Sequence, residues 1–333
     1  MRDWRGTTAT ATSDPRYGKG EYTLPSGPVD SEEEQVQLTA WLDVFLQKPN
    51  VQLPRPPAVA LEVMALSRKP QVRIEDIASV LEREPLLAGR VLKLSNSALY
   101  GGVTACHTLK QSLVRVGLGV VRDVVMETAM QMTVLHAEGV NRTLESIRRH
   151  SSAVAWLSRL VARNTAFDAE NAFLLGLLHD VGLSVGLVGL AEYLRGRKEP
   201  VRLTPARWRA VEAIHERFSG AVLGSWGLPP QLTLVAQQHH TLHVGGRAHP
   251  QVAVLLIAEH LADDAGWGVC PVTESSGEVP DEVALVSARE TSVRDYTDEA
   301  LRALSLNRRH YQALGVEAQR VLETLSAQYQ AAR

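Results

Sequence analysis

From Ala58 onward, apolar residues recur at helical spacing in short bursts separated by polar turns. Val59, Val63, Met64 and Leu66 make one stripe, and Ile74, Ile77, Ala78 and Leu81 make the next at i, i+3, i+4 and i+7. Pro85 opens a third helix, with Leu86, Leu87, Val91 and Leu92, which leads to the polar turn Ser95-Asn96-Ser97. A fourth starts near Thr108 and carries Leu109, Leu113 and Val116 to Gly117, a C-terminal stop. A fifth runs from Val120 to about Leu135. Upstream, Ser31 with Glu34 three positions on predicts an N-cap and a helix carrying Val36, Trp41, Val44 and Phe45 toward a core. The connector Leu53-Pro54-Arg55-Pro56-Pro57 breaks it. Residues 1–30, rich in Thr, Ser, Gly and Pro, read as a disordered leader.

The second half keeps the helical period. A helix from about Thr143 to Arg163 places Val154, Leu157 and Val161 on one face, with His150 on that face one turn earlier. After a turn at 164–168, a helix ends in Leu174-Leu175-Gly176-Leu177-Leu178-His179-Asp180-Val181-Gly182. Residues 186–205 read as an exposed connection on the strength of Arg195, Arg197, Lys198 and Pro200. Pro205 then opens a helix with Val211, Ile214 and His215, and a following one carries Phe218, Val222, Leu223 and Trp226 up to Gly227-Leu228-Pro229-Pro230. The helix from Gln231 to about Gln238 delivers His239-His240, and Val252, Leu255, Leu256, Glu259 and Asp263 share a face beyond it. No stretch holds a β period, so the fold class expected is all-α. The expected organisation is the leader (1–30), an N-terminal helix (31–50), a small helical lobe (51–140) and a helical subdomain (141–264). A loop or insertion (265–296) and C-terminal helices (297–333) follow.

Composition narrows the class. With 45% hydrophobic and 22% charged residues in 333, the chain is long enough for one large core or two. A formal net charge of -2 gives no bulk electrostatic case for nucleic acid or an anionic membrane. Cys106 and Cys270 are too few for a disulfide framework and suit a reducing cytoplasm. No apolar run is expected to reach the roughly 20 residues of a membrane span.

Within this apolar pattern the His-Asp pair is the anomaly. Burying a carboxylate or a charged imidazole without a partner costs several kcal/mol, so a metal ion, other polar side chains or water must meet His179 and Asp180 inside the fold. Seven residues on apolar faces are candidates for one constellation: His150, His179, Asp180, His215, His239, His240 and Asp263. Imidazoles and carboxylates suit Zn, Mn, Fe or Ni ions, which activate water for attack on phosphorus. Taken singly, each histidine is more often a hydrogen-bonded core residue, and a polar core without metal is the alternative reading. Ser95-Asn96-Ser97 reads as a capping turn rather than a ligand site. The arginines at 148–149 and 195–209 alternate with glutamates as a solvated face does, so nucleic-acid binding is the weakest reading.

The order His, His-Asp, His, His-His, Asp resembles the HD superfamily of metal-dependent phosphohydrolases, and His239-His240 resembles the two-metal arrangement of its HD-GYP group. The segments LPRPPAVALEVMAL, DIASVLEREPLLAGRVLKLSNSALYGG, LKQSLVRVGLGVVRDVV, FLLGLLHDVG, HERFSGAVLGSWGLPPQL, QQHH and EHLADD resemble the HDOD domain, an HD-related output domain of bacterial signalling proteins. The resemblance covers roughly Val51 to Asp264.

It implies a regulatory or protein-interaction module of a signalling pathway with an HD-like metal pocket. The seven residues would be its metal ligands, and a phosphorylated small molecule a candidate second partner. The alternative is a phosphohydrolase acting on a nucleotide or other phosphoester, with Asp180 as the catalytic residue. Two departures weigh against the latter. Leu183 stands where HD hydrolases often carry a lysine, and Ser146 stands where HD-GYP proteins carry a glutamate. The GYP signature is also absent after His240, so cyclic-di-GMP hydrolysis is not expected.

Overall fold

The computed structural model describes residues 31–47, 55–97, 99–132, 136–244, 246–271 and 293–330. The predicted leader (1–30), Leu53-Pro54 of the proline connector and most of the 265–296 loop lie outside them.

Helix α1 (Glu32–Phe45) starts as the sequence predicts, with Ser31 Oγ accepting from Glu34 N at 3.1 Å, but it buries Leu38, Leu42 and Phe45 while Val36 and Val44, expected toward the core, are exposed. Helices α2 (Ala58–Ser67), α3 (Ile74–Leu81), α4 (Pro85–Ser95) and α5 (Leu109–Val116) form a lobe around Val63, Ile77, Leu81, Leu87, Val91 and Leu113, all buried. The turn after α4 is a clamp: Asn96 Oδ1 accepts from Cys106 N at 2.8 Å and its Nδ2 donates to Cys106 O at 2.9 Å. Thr108 caps α5 in a capping box with Gln111. Gly117, at φ +81°, supplies the left-handed turn into α6 (Leu118–Met132).

Helix α6 packs on α2 and α4 on one side and α8 on another. The main bundle pairs α7 (Asn141–Arg163) with α8 (Ala169–Leu178), and α9 (Val181–Gly196) with α10 (Pro205–Ser225). Helix α11 (Pro230–Ala236) packs on α8 and α10, and α12 (Pro250–Asp264) lies across α7. A two-stranded antiparallel ribbon, β1 (His243–Val244) and β2 (Arg247–Ala248), fills the turn before α12. Outside the bundle, α1 covers α9 and α10, while α13 (Val293–Ala303) and α14 (Arg308–Gln330) lean on α12 and α7. The all-α expectation holds, the ribbon being too short to show a β period.

Four details differ from expectation. Residues 186–196 continue α9 as a mostly buried helix rather than an exposed connection. Its glycines, which lower helix propensity, are where neighbours touch: a Cβ on Gly186 would meet Val211 Cγ1 at 2.8 Å, and one on Gly189 would meet Leu42 Cδ2 at 2.7 Å. Residues 205–225 form one helix, not two. The final helices begin at Val293, inside the range read as a loop. One stretch, Asn171–Gly196, is long and apolar enough to span a membrane by composition, contrary to expectation; 94% of its most apolar window is buried in the fold, as in a core helix.

Candidate metal centre

The candidate residues arrive at helix ends and on helix faces. His150 lies mid-way along α7, His179 and Asp180 occupy the corner between α8 and α9, His215 sits on α10, and His239 and His240 follow α11. Leu174 to Leu178 fill the core beneath that corner, so the chain leaves α8 with its polar pair pointing inward. Asp180 is the N-cap residue of α9 but accepts no capping hydrogen bond, leaving its carboxylate to the histidines.

Asp180 is the hub. Its Oδ1 lies 3.2 Å from His239 Nε2 and 3.4 Å from His215 Nε2, and its Oδ2 lies 3.4 Å from His179 Nε2 and 4.0 Å from His150 Nε2. His215 Nε2 is also 3.0 Å from His240 Nε2 and 3.3 Å from His239 Nε2. Potential ligand atoms within 4.8 Å of one another fall into overlapping sets: Asp180, His215, His239 and His240; His150, His179 and Asp180; His179, His239 and Glu259.

Four of the five rings are aimed from behind. His179 Nδ1 lies 2.8 Å from Gly176 O, His215 Nδ1 2.5 Å from Glu212 O, and His239 Nδ1 2.9 Å from Ala236 O. His150 Nδ1 takes a more distant acceptor, Trp267 O at 2.9 Å. A carbonyl can only accept, so the proton of each neutral ring sits on Nδ1 and the Nε2 lone pair points into the centre. His215 thus opposes His239 as acceptor against acceptor at 3.3 Å, a contact only a proton or a cation can make favourable. His179 Nε2, fully buried, is aligned for a hydrogen bond with neither Asp180 nor Glu259, though Glu259 Oε1 is 3.2 Å away. Converging imidazole nitrogens around a bridging carboxylate fit one or two divalent transition-metal ions.

The electrostatics of the protein alone follow the same geometry. Burial opposes charge on His179, but the Asp180 and Glu259 carboxylates outweigh it and push its pKa up to about 10. Burial likewise opposes ionisation of Glu259 and Asp180. The neighbouring imidazoles prevail, holding Glu259 at about 2 and Asp180 well below the usual carboxylate range. His150 moves the other way: burial, then the charge on His179, lower its pKa.

Six of the seven predicted residues meet at this point. Asp263 does not; it is half-buried at the end of α12, where its charge acts on Tyr311. The α12 carboxylate at the centre is Glu259, one helical turn earlier. The sequence put both acids on one face, and only the depth at which α12 crosses α7 separates them. Two further contributors gave little signal: Glu216, whose carboxylate accepts from His240 N at 3.0 Å, and Ser219, which bridges Gly182 N and the carbonyl of His179. Leu183 and Ser146, at the two departures from the hydrolase pattern, are spent on structure. Leu183 is core, and Ser146 Oγ accepts from Cys270 N at 2.6 Å.

A helical bundle with helix-borne histidines and an aspartate at its centre is the class of fold that the comparisons with known proteins return. Residues 53–242 match the HDOD domain family, and the chain belongs to that family. The solved structures it resembles agree on the fold. An HDOD domain protein of unknown function from Geobacter sulfurreducens aligns at TM-score 0.60 and 20% identity, covering 89% of this chain and 98% of that one. A candidate metal-dependent phosphohydrolase from Shewanella amazonensis SB2B aligns at TM-score 0.56 and 18% identity, over 86% and 99% of the two chains. A candidate signal transduction protein from Marinobacter aquaeolei VT8 aligns at TM-score 0.59 and 18% identity, over 89% and 65%. Among curated proteins, an uncharacterized protein of Treponema pallidum (strain Nichols) is 23% identical over 223 residues, 62% of this chain. The match spans only 41% of that relative's length.

Proposed function

We propose that this chain is a regulatory HDOD module of a signalling pathway, acting by binding a partner protein, with a divalent metal as part of its folded core. The observation that carries this reading is the enclosure of the centre. His150, His179, Asp180, His215 and His239 are each no more than 5% exposed, and only His240 and Glu259 reach toward the surface. Structural metal sites are closed, whereas catalytic ones keep a position open for water and substrate. Leu183, buried where a lysine would offer a cation to phosphate, supports the same reading. His150, His179, Asp180 and Glu259 would hold one ion, with His215, His239 and His240 available to a second; a bound ion would supply the Lewis acidity that lowers the pKa of water.

The second reading, a phosphohydrolase, draws on the same ligand set, which is complete enough for two-ion chemistry. Metal content by plasma mass spectrometry on untagged protein, beside Asp180→Ala, and a phosphoester screen decide between them. One or two equivalents of metal lost in the variant, with no turnover, are expected. Turnover abolished by His179→Ala would establish the hydrolase, and a metal-free protein in both cases would leave a hydrogen-bonded polar core.

A further inference from the structure

Helix α6 buries two carboxylates one turn apart, Asp123 and Glu127, in unlike surroundings. Asp123 has cations beside it: Arg159 Nη1 donates to its Oδ2, and Arg122 Nη2 lies 3.3 Å from its Oδ1. Glu127 is 1% exposed and, among the described residues, forms no ion pair. Its carboxylate accepts there from neutral donors, Trp156 Nε1 at 3.2 Å, Gln131 Nε2 at 3.4 Å and the Ser152 hydroxyl. Burial pushes its pKa up, and the more distant charge of Arg90 opposes that shift without cancelling it. A buried carboxylate lacking a close counter-charge is costly.

Glu127 lines a cavity of about 50 Å³ between α6, α7 and the corner of α8 and α9. Two serines line it as well, Ser151 of α7 and Ser184 of α9, which are 7% and 8% exposed. Neither hydroxyl has a hydrogen-bond partner among the described residues, yet neither is sealed off, because each opens on the cavity. The one cation in the lining, Arg148, is already held by Glu145, through Nε at 3.1 Å and Nη2 at 2.6 Å. Leu144 and Ile147 supply apolar wall. The space holds a few groups the size of a water molecule.

A negative charge, two idle hydroxyl acceptors and a short apolar wall together suit an ammonium group on a short hydrocarbon stem, since such a group carries three donors and no acceptor. We propose that this cavity binds a small primary amine as its ammonium ion, donating to the Ser151 and Ser184 hydroxyls with Glu127 as counter-charge and the stem against Leu144 and Ile147. The site is distinct from the histidine centre but adjoins it: Ser151 follows His150 directly, and Ser184 lies on the helix that Asp180 begins. An occupant would therefore join α7 to α9 beside the centre and give the module an input of its own.

Ethylammonium chloride is the probe for the full chain, with sodium chloride at equal ionic strength, potassium chloride and ethanol beside it. Thermal unfolding and saturation-transfer NMR on the ethyl protons are the readouts. Ethylammonium is expected to raise the unfolding temperature saturably beyond sodium chloride and to receive saturation from the protein. The double variant Ser151→Ala, Ser184→Ala breaks no hydrogen bond of the empty cavity, so it should fold normally and bind about tenfold more weakly. Glu127→Gln should abolish binding; should that variant not fold, the serine pair decides. No response beyond that of sodium chloride, or binding indifferent to the serine variant, overturns the proposal. Ethanol binding as tightly as ethylammonium would mean that Glu127 carries no charge there, and an equal effect of potassium would make the site one for any monovalent cation; either overturns the amine assignment.

Discussion

Gly182 lies directly against the backbone of His215. A Cβ at Gly182 would overlap the His215 carbonyl oxygen and come within 2.6 Å of Ser219 N. Helices α9 and α10 can therefore touch only where the side chain is hydrogen, and that contact brings His215 to the Asp180 carboxylate two residues before Gly182. Gly182→Ala is expected to push the helices apart, destabilising the protein by about 1–3 kcal/mol and lowering its metal content. Denaturant unfolding and metal analysis of the one variant would show both effects together; a stable variant with full metal would contradict the account.

Ser219 closes the same junction by accepting from Gly182 N at 2.9 Å and donating to the carbonyl of His179. Ser219→Ala strands a buried N–H, at a cost of about 1–3 kcal/mol. Ser219→Thr keeps the hydroxyl but adds a methyl to a fully buried position. The alanine loss should therefore appear in chemical unfolding even where the metal is saturating.

Glu259 and Asp263 separate the geometry from the sequence pattern. Glu259→Gln should weaken binding of the first metal equivalent at least tenfold, an estimate drawn from the usual effect of removing a partner of a metal-bound histidine. Asp263→Asn should leave it unchanged. A metal titration in which Asp263→Asn is the impaired variant would place α12 incorrectly.

Metal-stripped protein should be sensitive to alkali. The His179 pKa is raised from 6.5 to about 10 in the folded state, so its contribution to stability is fully present below pH 6.5 and is lost as pH rises toward 10. Glu259, held at about 2, contributes in the opposite sense: its share is present above its ordinary value near 4.5 and is lost as pH falls toward 2. Each kcal/mol lost between pH 6.5 and 10 lowers the unfolding temperature by roughly 2–4 °C. A bound cation would replace the His179 proton, so metal-loaded protein should show a flatter profile over that range. Unfolding temperatures measured at pH 6.5 and pH 10, with and without metal, test the difference; equal slopes would refute it.

How far the sequence foretold this arrangement depends on how local each feature is. The stripes of α3 and α5, the Ser31 cap, the helix start near Thr108 and the Gly117 stop are set within a few residues and stand as read. The helical course of 186–196 was not legible, because Arg195, Arg197, Lys198 and Pro200 mark an exposed connection, and the packing of Gly186 on Val211 and of Gly189 on Leu42 is set by distant parts of the chain. The pairing of His179 with Asp180 announced a buried centre, and four of its residues are neighbours in two dipeptides. Glu259 was indistinguishable from Asp263, since one helical turn moves a residue along a face without changing the face. Arg159 and Asp123 gave no sign of each other across 36 positions, and only the crossing of α6 and α7 joins them.

The backbone acceptors behind the rings divide the centre in an unequal way. His179, His215 and His239 are each steered by a carbonyl three residues earlier on their own helix, so their aim survives wherever the helix survives. His150 is steered from 117 positions away by Trp267, over whose ring Arg149 stacks at 4.4 Å. Trp267 in turn packs edge-on against Tyr329 of α14. One ligand of the four therefore has a remote rudder. A displacement of the segment after α12, or of α14 beside it, would turn His150 alone and detune the Asp180 Oδ2 side of the centre while leaving the Oδ1 side intact.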